Sequence, residues 1–223
     1  MKKTAIVLSI LFLISGMTAT DALSSIVSIS PPTSVVQGQL ESDWDGISIE
    51  NRVINLFEEQ QNVWIDSLSV DITSPGTYTR TNNPPGGNVE ETYVNSYFLH
   101  FDPEGEPSDH VGASGSWTFN QTILGIILLD ETLDASDSSL GNTGTSYPTG
   151  TQWRGIEIGL GQSGDDSITL ESDGKTLNLN LVEARSVGIE QIRVITAVPI
   201  PATLLLFGSG IIGFVGIIRR LKH

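Results

Sequence analysis

From Ala202 to Ile218 the chain carries no charged residue, and Arg219, Arg220 and Lys222 follow almost at once. This run limits what the chain can become more than any other stretch does. As a helix rising about 1.5 Å per residue it is roughly 25 Å long, a little short of a hydrocarbon core. Slight thinning of the bilayer, or inclusion of the residues before it, completes a crossing. Pro199 and Pro201 stand where a helix begins, and there proline starts the segment rather than breaking it. A buried C-terminal helix is the competing expectation, but a glycine-bearing uncharged run ending in Arg-Arg fits it less well. We expect a transmembrane helix.

The start of the chain agrees. Lys2 and Lys3 precede the apolar run Ala5 to Ile14, and small or polar residues follow as far as Ala22. That is the order of a secretory signal peptide. Thr20 and Ala22 suit the −3 and −1 positions, so cleavage is expected after Ala22, with Ala19 as the rival. The apolar run is too short to span comfortably as an uncleaved anchor. The chain has no cysteine, which excludes a lipoprotein anchor. Export leaves the body outside the cytoplasm and Arg219, Arg220 and Lys222 inside, in line with the positive-inside bias.

The tail has a specific order of parts: Val198-Pro199-x-Pro201, then Leu205-Leu206-Phe207-Gly208-Ser209-Gly210 within the uncharged run, then Arg219-Arg220. In this it resembles the PEP-CTERM sorting signal of Gram-negative bacteria, over about residues 198–222. Ile200 stands where that signal usually has an acidic residue. The resemblance implies an exosortase-like processing protease as partner. It also implies release of the body to the cell surface or into extracellular polysaccharide. The sorting residues would be Val198, Pro199, Pro201, Phe207, Gly208, Ser209, Gly210, Arg219 and Arg220.

Three parts are therefore expected: a signal peptide over 1–22, an extracytoplasmic domain over 23–197, and a sorting segment over 198–223. Of the 11 basic residues, Lys2, Lys3, Arg219, Arg220 and Lys222 lie in the terminal parts, whereas of the 26 acidic residues only Asp21 does. The domain thus keeps six cations, Arg52, Arg80, Arg154, Lys175, Arg185 and Arg193, against 25 carboxylates. Such a balance repels nucleic acid, because phosphate contact needs clustered cations. Without disulfides the exported domain depends on its core, or on metal, for stability.

The domain reads as antiparallel β. Ser167-Ile168-Thr169-Leu170-Glu171 and Thr176-Leu177-Asn178-Leu179-Asn180-Leu181 both alternate, with Asp173-Gly174 between them. A two-residue type I′ loop there sets Leu170 opposite Leu177, Ile168 opposite Leu179, and Thr169 against Asn178 on the wet face. Further strands are expected at Ile26–Ile29, Ile47–Phe57, Val63–Ile72, Tyr93–Phe101, Ser116–Phe119, Ile123–Leu129, Trp153–Ile158 and Ile189–Thr196. Ile123–Leu129 is apolar on both sides and is expected in the centre of a sheet, covered on both faces. Long loops are expected at Ser74–Glu91, Asp102–Gly115 and Asp130–Gly150. Together these give a mainly β fold: a single antiparallel β-sandwich, for which a jelly roll is one arrangement, followed by the transmembrane helix.

Signals of chemistry are sparse. His100 to His110 resembles a metal cluster at first, but its Pro and Gly residues mark an exposed acidic loop without helix-borne ligand spacing, and a Ca²⁺ or Zn²⁺ site there is the lesser reading. Asp43 and Asp45, and Asp165 and Asp166, offer oxygen ligands beside glycines, which suits Ca²⁺; neither pair completes an EF-hand loop, and both are ordinary turn residues. No cofactor is required. Trp64 and Trp117 lie in alternating strands and are expected in the core. Trp44 and Trp153 adjoin turns and are the candidate platforms for stacking on a sugar. No Walker loop, dinucleotide fingerprint or nucleophile elbow is present. The expected role is structural or adhesive, in a surface or matrix protein that is not an enzyme. The alternative is a secreted carbohydrate-binding protein or glycan-acting enzyme.

Overall fold

A computed structural model describes residues 26–30, 33–35, 53–79, 84–102, 111–150, 154–156, 166–183 and 189–199. They belong to a compact unit, Ser24–Val198, with the exception of Pro199. The unit is mainly β, and its strands form two sheets. In the five-stranded sheet the spatial order is β1 (Ile26–Ser30), β7 (Val111–Phe119), β10 (Thr176–Glu183), β9 (Ser167–Leu170) and β5 (Gly76–Thr79). In the six-stranded sheet the order is β2 (Thr33–Val35), β3 (Ile54–Glu58), β6 (Gly87–Phe101), β11 (Glu190–Ala197) and β8 (Ile123–Ile127). There β4 (Val63–Val70) also pairs with β6. All pairings are antiparallel except β2 with β3.

The two sheets share one core. Trp117, Phe119, Ile168, Leu170, Leu177 and Leu179 come from the first, and Ile54, Leu56, Tyr97, Leu99, Ile192 and Val194 from the second. Tyr97 meets Phe119 across the gap, ring centres 5.0 Å apart. Alternation along β6 and β11 then sends Phe98 and Ile195 to the opposite face of the six-stranded sheet. That face is covered by the helix α1 (Asp130–Leu140), which contributes Leu133 and Leu140 to a second cluster with Phe57, Ile65, Val70 and Ile127.

Two departures from regular pairing shape the second cluster. Glu58 pairs with Tyr97 and Val63 with Val94, so the four residues Glu59–Asn62 face only Asn95 and Ser96. This is a β-bulge with Asn62 at φ 57°, and its backbone is tied back to β6 by Glu59 N–H to Ser96 O and Ser96 N–H to Gln60 O. At the other end, Ile72 forms an isolated bridge with Ile126, so the chain just after β4 takes the free edge of β8. The six-stranded sheet thereby curls back on itself. Gly125 permits this, since a Cβ there would lie 2.7 Å from a Val70 methyl.

The hairpin β9–β10 has the expected register: Leu177 with Leu170, Asn178 with Thr169, Leu179 with Ile168. Its turn differs. Only Gly174 is left-handed, at φ +64°, whereas a type I′ loop needs Asp173 there too. Asp173 instead accepts from the backbone N–H groups of Lys175 and Thr176 and from the Thr176 hydroxyl, and these bonds hold its carboxyl below the usual range.

Several expectations are corrected. Ser74–Glu91 is not one loop, because β5 lies within it and β6 begins at Gly87. Strand β7 starts at Val111, inside the second expected loop, and α1 occupies the first half of the third. Arg154–Ile156 is not extended in a ladder. Strand β8 ends the sheet's order rather than sitting in its centre, although both its faces are covered as expected. Residues 47–52 of one expected strand, and the signal-peptide and transmembrane segments, lie outside the described residues. Among the described residues no helix is long and apolar enough to cross a membrane.

Candidate functional site

The bulge, strand β11, helix α1 and the segment after it meet in a buried group of charges. Arg193 lies mid-strand between Ile192 and Val194, and alternation turns it toward α1. Its Nε donates to Glu59 Oε2 at 2.7 Å and its Nη2 to Glu59 Oε1 at 2.8 Å, a two-pronged grip on a carboxylate that the bulge aims inward. Nη2 also donates to Asp137 Oδ1 at 3.0 Å, and Nη1 to the Ser136 hydroxyl at 2.5 Å. The second cation, Arg154, donates through Nη1 to Asp134 (2.7 Å) and Asp137 (2.6 Å), through Nη2 to Asp137 (2.9 Å), and through Nε to Gln191 (2.7 Å).

Tyr147 stands between the two guanidinium groups, whose central carbons lie 5.5 Å (Arg154) and 5.4 Å (Arg193) from its ring centre. Its hydroxyl donates to Glu59 Oε1 at 2.5 Å and accepts from Asn142 N–H. Burial first, and then the negative charge of Glu59, push this phenol well above its ordinary range. Burial opposes the charge on Arg193, but the attraction of Glu59 and Asp137 outweighs it and raises that guanidinium above its usual value. Beyond Arg154, Gln191 reaches Nδ1 of His100 at 3.3 Å. His100 is fully buried, and burial lowers its pKa to about 4, which keeps the imidazole neutral at neutral pH.

Every side-chain nitrogen of the two arginines thus meets an acceptor. Both guanidinium groups are thereby committed to internal carboxylate, amide and hydroxyl partners. The arrangement works as a clasp: α1 brings Asp134, Ser136 and Asp137, and sheet residues bring Glu59, Gln191 and Arg193. A second clasp holds the start of α1. The residue before the helix is Leu129, which has no capping side chain. Asp71, just past β4, instead fixes the residues entering the helix, accepting from Leu128 N–H (2.7 Å), Leu129 N–H (3.0 Å) and the Thr132 hydroxyl (2.8 Å). Asp130 in turn holds Arg154 N–H and Gly155 N–H.

The candidates drawn from sequence are not brought together. Asp43, Trp44, Asp45, Trp153 and Asp165 lie outside the described residues, while Asp166 is buried just ahead of β9. Among the described residues no group of three or more His, Asp or Glu is placed to hold a metal ion. Val198 and Pro199 are half-buried just past β11; Pro201, Phe207, Gly208, Ser209, Gly210, Arg219 and Arg220 lie outside. His100 lies at the buried end of β6, within the strand expected over Tyr93–Phe101 and not in the exposed loop also considered for it. Trp117 is in the core as expected, but Trp64 is not: it is 48% exposed, beside the 50% exposed Tyr93.

Sequence reasoning missed the clasp, although one signal was present. Arg193 interrupts an apolar strand in a domain short of cations, and a buried arginine needs a carboxylate partner. It also missed two neighbouring rows of uncharged polar residues on the outer face of the five-stranded sheet. Thr77, Thr169, Asn178 and Ser116 stand in one row across four strands, and Thr79, Ser167, Asn180 and Ser114 in the next. None is charged, and neighbours share hydrogen bonds, as Thr77 does with Thr169 and Ser114 with Asn180. Compared with family models, curated proteins and solved structures, the chain finds no match.

Proposed function

We propose that the chain is an exported β-sandwich module, of jelly-roll kind or a relative of it. In this reading a C-terminal helix tethers it to the inner membrane until an exosortase-like protease releases it to the cell surface or extracellular matrix, where its role is structural or adhesive. The observation that carries the proposal is the order of parts after β11: Val198-Pro199-x-Pro201, the uncharged run with Phe207-Gly208-Ser209-Gly210, and Arg219-Arg220. The lysine-led apolar start of the chain supports the same direction of export.

Two structural features fit the role. The buried arginines serve to fasten α1, which suits a module whose charges hold shape. The outer face of the five-stranded sheet carries two rows of hydroxyl and amide groups, bordered by the Glu171 carboxylate that Asn178 holds. Such a face can exchange hydrogen bonds with a polysaccharide without like-charge repulsion. Mass spectrometry of the C-terminus in cell-surface and medium fractions tests the sorting step. Chains ending near Pro201 are expected there. Intact Arg219–His223 in every fraction would leave an ordinary membrane anchor and defeat the sorting model.

A further inference from the structure

Trp64 and Tyr93 lie where the chain leaves the domain. Strand β11 runs against β6 with Ala197 opposite Val94, so one more residue in that register brings Val198 level with Tyr93. On the far side of β6, Tyr93 pairs with Trp64. At about 4.8 Å between strands, Trp64 is roughly 10 Å from Val198. From Pro199 to Ala202, the first residue of the uncharged run, is at most about 11 Å of chain. In the tethered reading proposed above, no more than that length of chain separates Pro199 from the start of the membrane span.

The two rings suit that position. Among the described residues they are the two exposed large hydrophobic side chains, packed edge to face with centres 5.0 Å apart. The indole N–H is already satisfied by Asp66 Oδ1 at 2.9 Å, so insertion strands no donor. Asp66 and Glu91 flank the pair along their strands and are exposed. Carboxylates beside aromatic faces favour a headgroup ammonium and disfavour net negative lipid.

We propose that Trp64 and Tyr93 form an interfacial foot, which rests in the headgroup region of zwitterionic phospholipid while the tail is uncut and thereby fixes the orientation of the domain. This rests on the tethered reading above. Two aromatic side chains bind a membrane weakly on their own, but the tether makes their contact intramolecular. Cleavage then removes the helix and the avidity together, and the foot lets go.

The test uses the full chain reconstituted in vesicles of equal phosphatidylcholine and phosphatidylethanolamine, with bromine on the acyl chains near the headgroup. Flotation of chain with vesicles reports the tether, and bromine quenching of tryptophan emission reports the foot. Part of the emission should be quenched, that part should vanish in Trp64→Phe, and it should shrink when phosphatidylglycerol replaces the zwitterionic lipid. Trp64→Tyr, which keeps an interfacial aromatic, should lose the quenched emission but float equally. Failure to float defeats the tether and the foot with it. Flotation with equal quenching in wild type and Trp64→Phe defeats the foot alone. Emission of Trp64 that responds to a neutral polysaccharide and ignores bromolipid assigns the pair to a glycan and overturns the proposal.

Discussion

Arg193→Met removes one cation from a site where its partners remain. The side chain of Arg193 is fully buried and that of Glu59 almost so. The substitution strips Glu59 of both guanidinium bonds and leaves it the hydroxyls of Tyr147 and Ser96. Asp137 keeps Arg154. Removing one partner of a buried pair costs about 3–5 kcal/mol, because the other charge stays desolvated and uncompensated. For a domain of this size that is a fall in Tm of roughly 6–20 °C. Urea unfolding of the Ser24–Val198 unit, followed by tryptophan emission, measures it. Glu59→Gln alone should also destabilise, but the double variant should lose less than the sum by about 2 kcal/mol, since neither partner is then left charged and alone. An Arg193→Met cost below about 1 kcal/mol, or strict additivity in the cycle, refutes the view that these residues act as one buried ion pair.

Asp71→Ala leaves the N–H groups of Leu128 and Leu129 without their acceptor at the start of α1 and should cost about 1–3 kcal/mol. Amide exchange would show it as lost protection in α1 before the sheets. Gly155→Ala places a Cβ 2.0 Å from the Leu128 carbonyl oxygen, a backbone atom that cannot swing aside. Expression and Tm should therefore fall more than for an alanine at Gly174, where the new Cβ meets a Thr122 methyl at an ordinary 3.7 Å and the positive φ costs about 1–2 kcal/mol. His100 gives a pH signature. Its folded pKa, lowered to about 4 by burial, lies below the unfolded value near 6.5, so the unfolded chain binds the extra proton. Its contribution is intact above about pH 6.5, is lost as pH falls toward 4, and amounts to about 3 kcal/mol. Comparing the pH dependence of unfolding in wild type and His100→Gln isolates this slope, and identical profiles would contradict it.

The hairpin shows what was legible in the sequence. There, alternation and a turn signal agree, and the register of Leu170 with Leu177 follows from both. Its turn type was not legible, because the Asp173 carboxylate settles it through local bonds that composition does not reveal. Helix α1 was hidden for a related reason. Asp-Glu-Thr-Leu-Asp-Ala-Ser-Asp-Ser-Ser-Leu has only two leucines to bury, Leu129 cannot cap, and no basic residue closes the last turn. Its determinants are Asp71, Arg154 and Arg193, none of them within the helix. Trp64 was misplaced because alternation identifies two faces but not which of them a partner sheet covers. The clasp needed Glu59, Asp137, Arg154 and Arg193 in one place, and only the bulge and the curl of the six-stranded sheet put them there.

The position of β11 has a mechanical consequence. The last strand before the tail is held by β6 along one side and by β8 along the other, both antiparallel to it. A pull on Pro199 in line with β11 loads that strand along its length. It must shear two ladders at once, whereas a tail leaving from an edge strand would peel one pair after another. A strand paired on both sides in this way resists such a load better than an edge strand would.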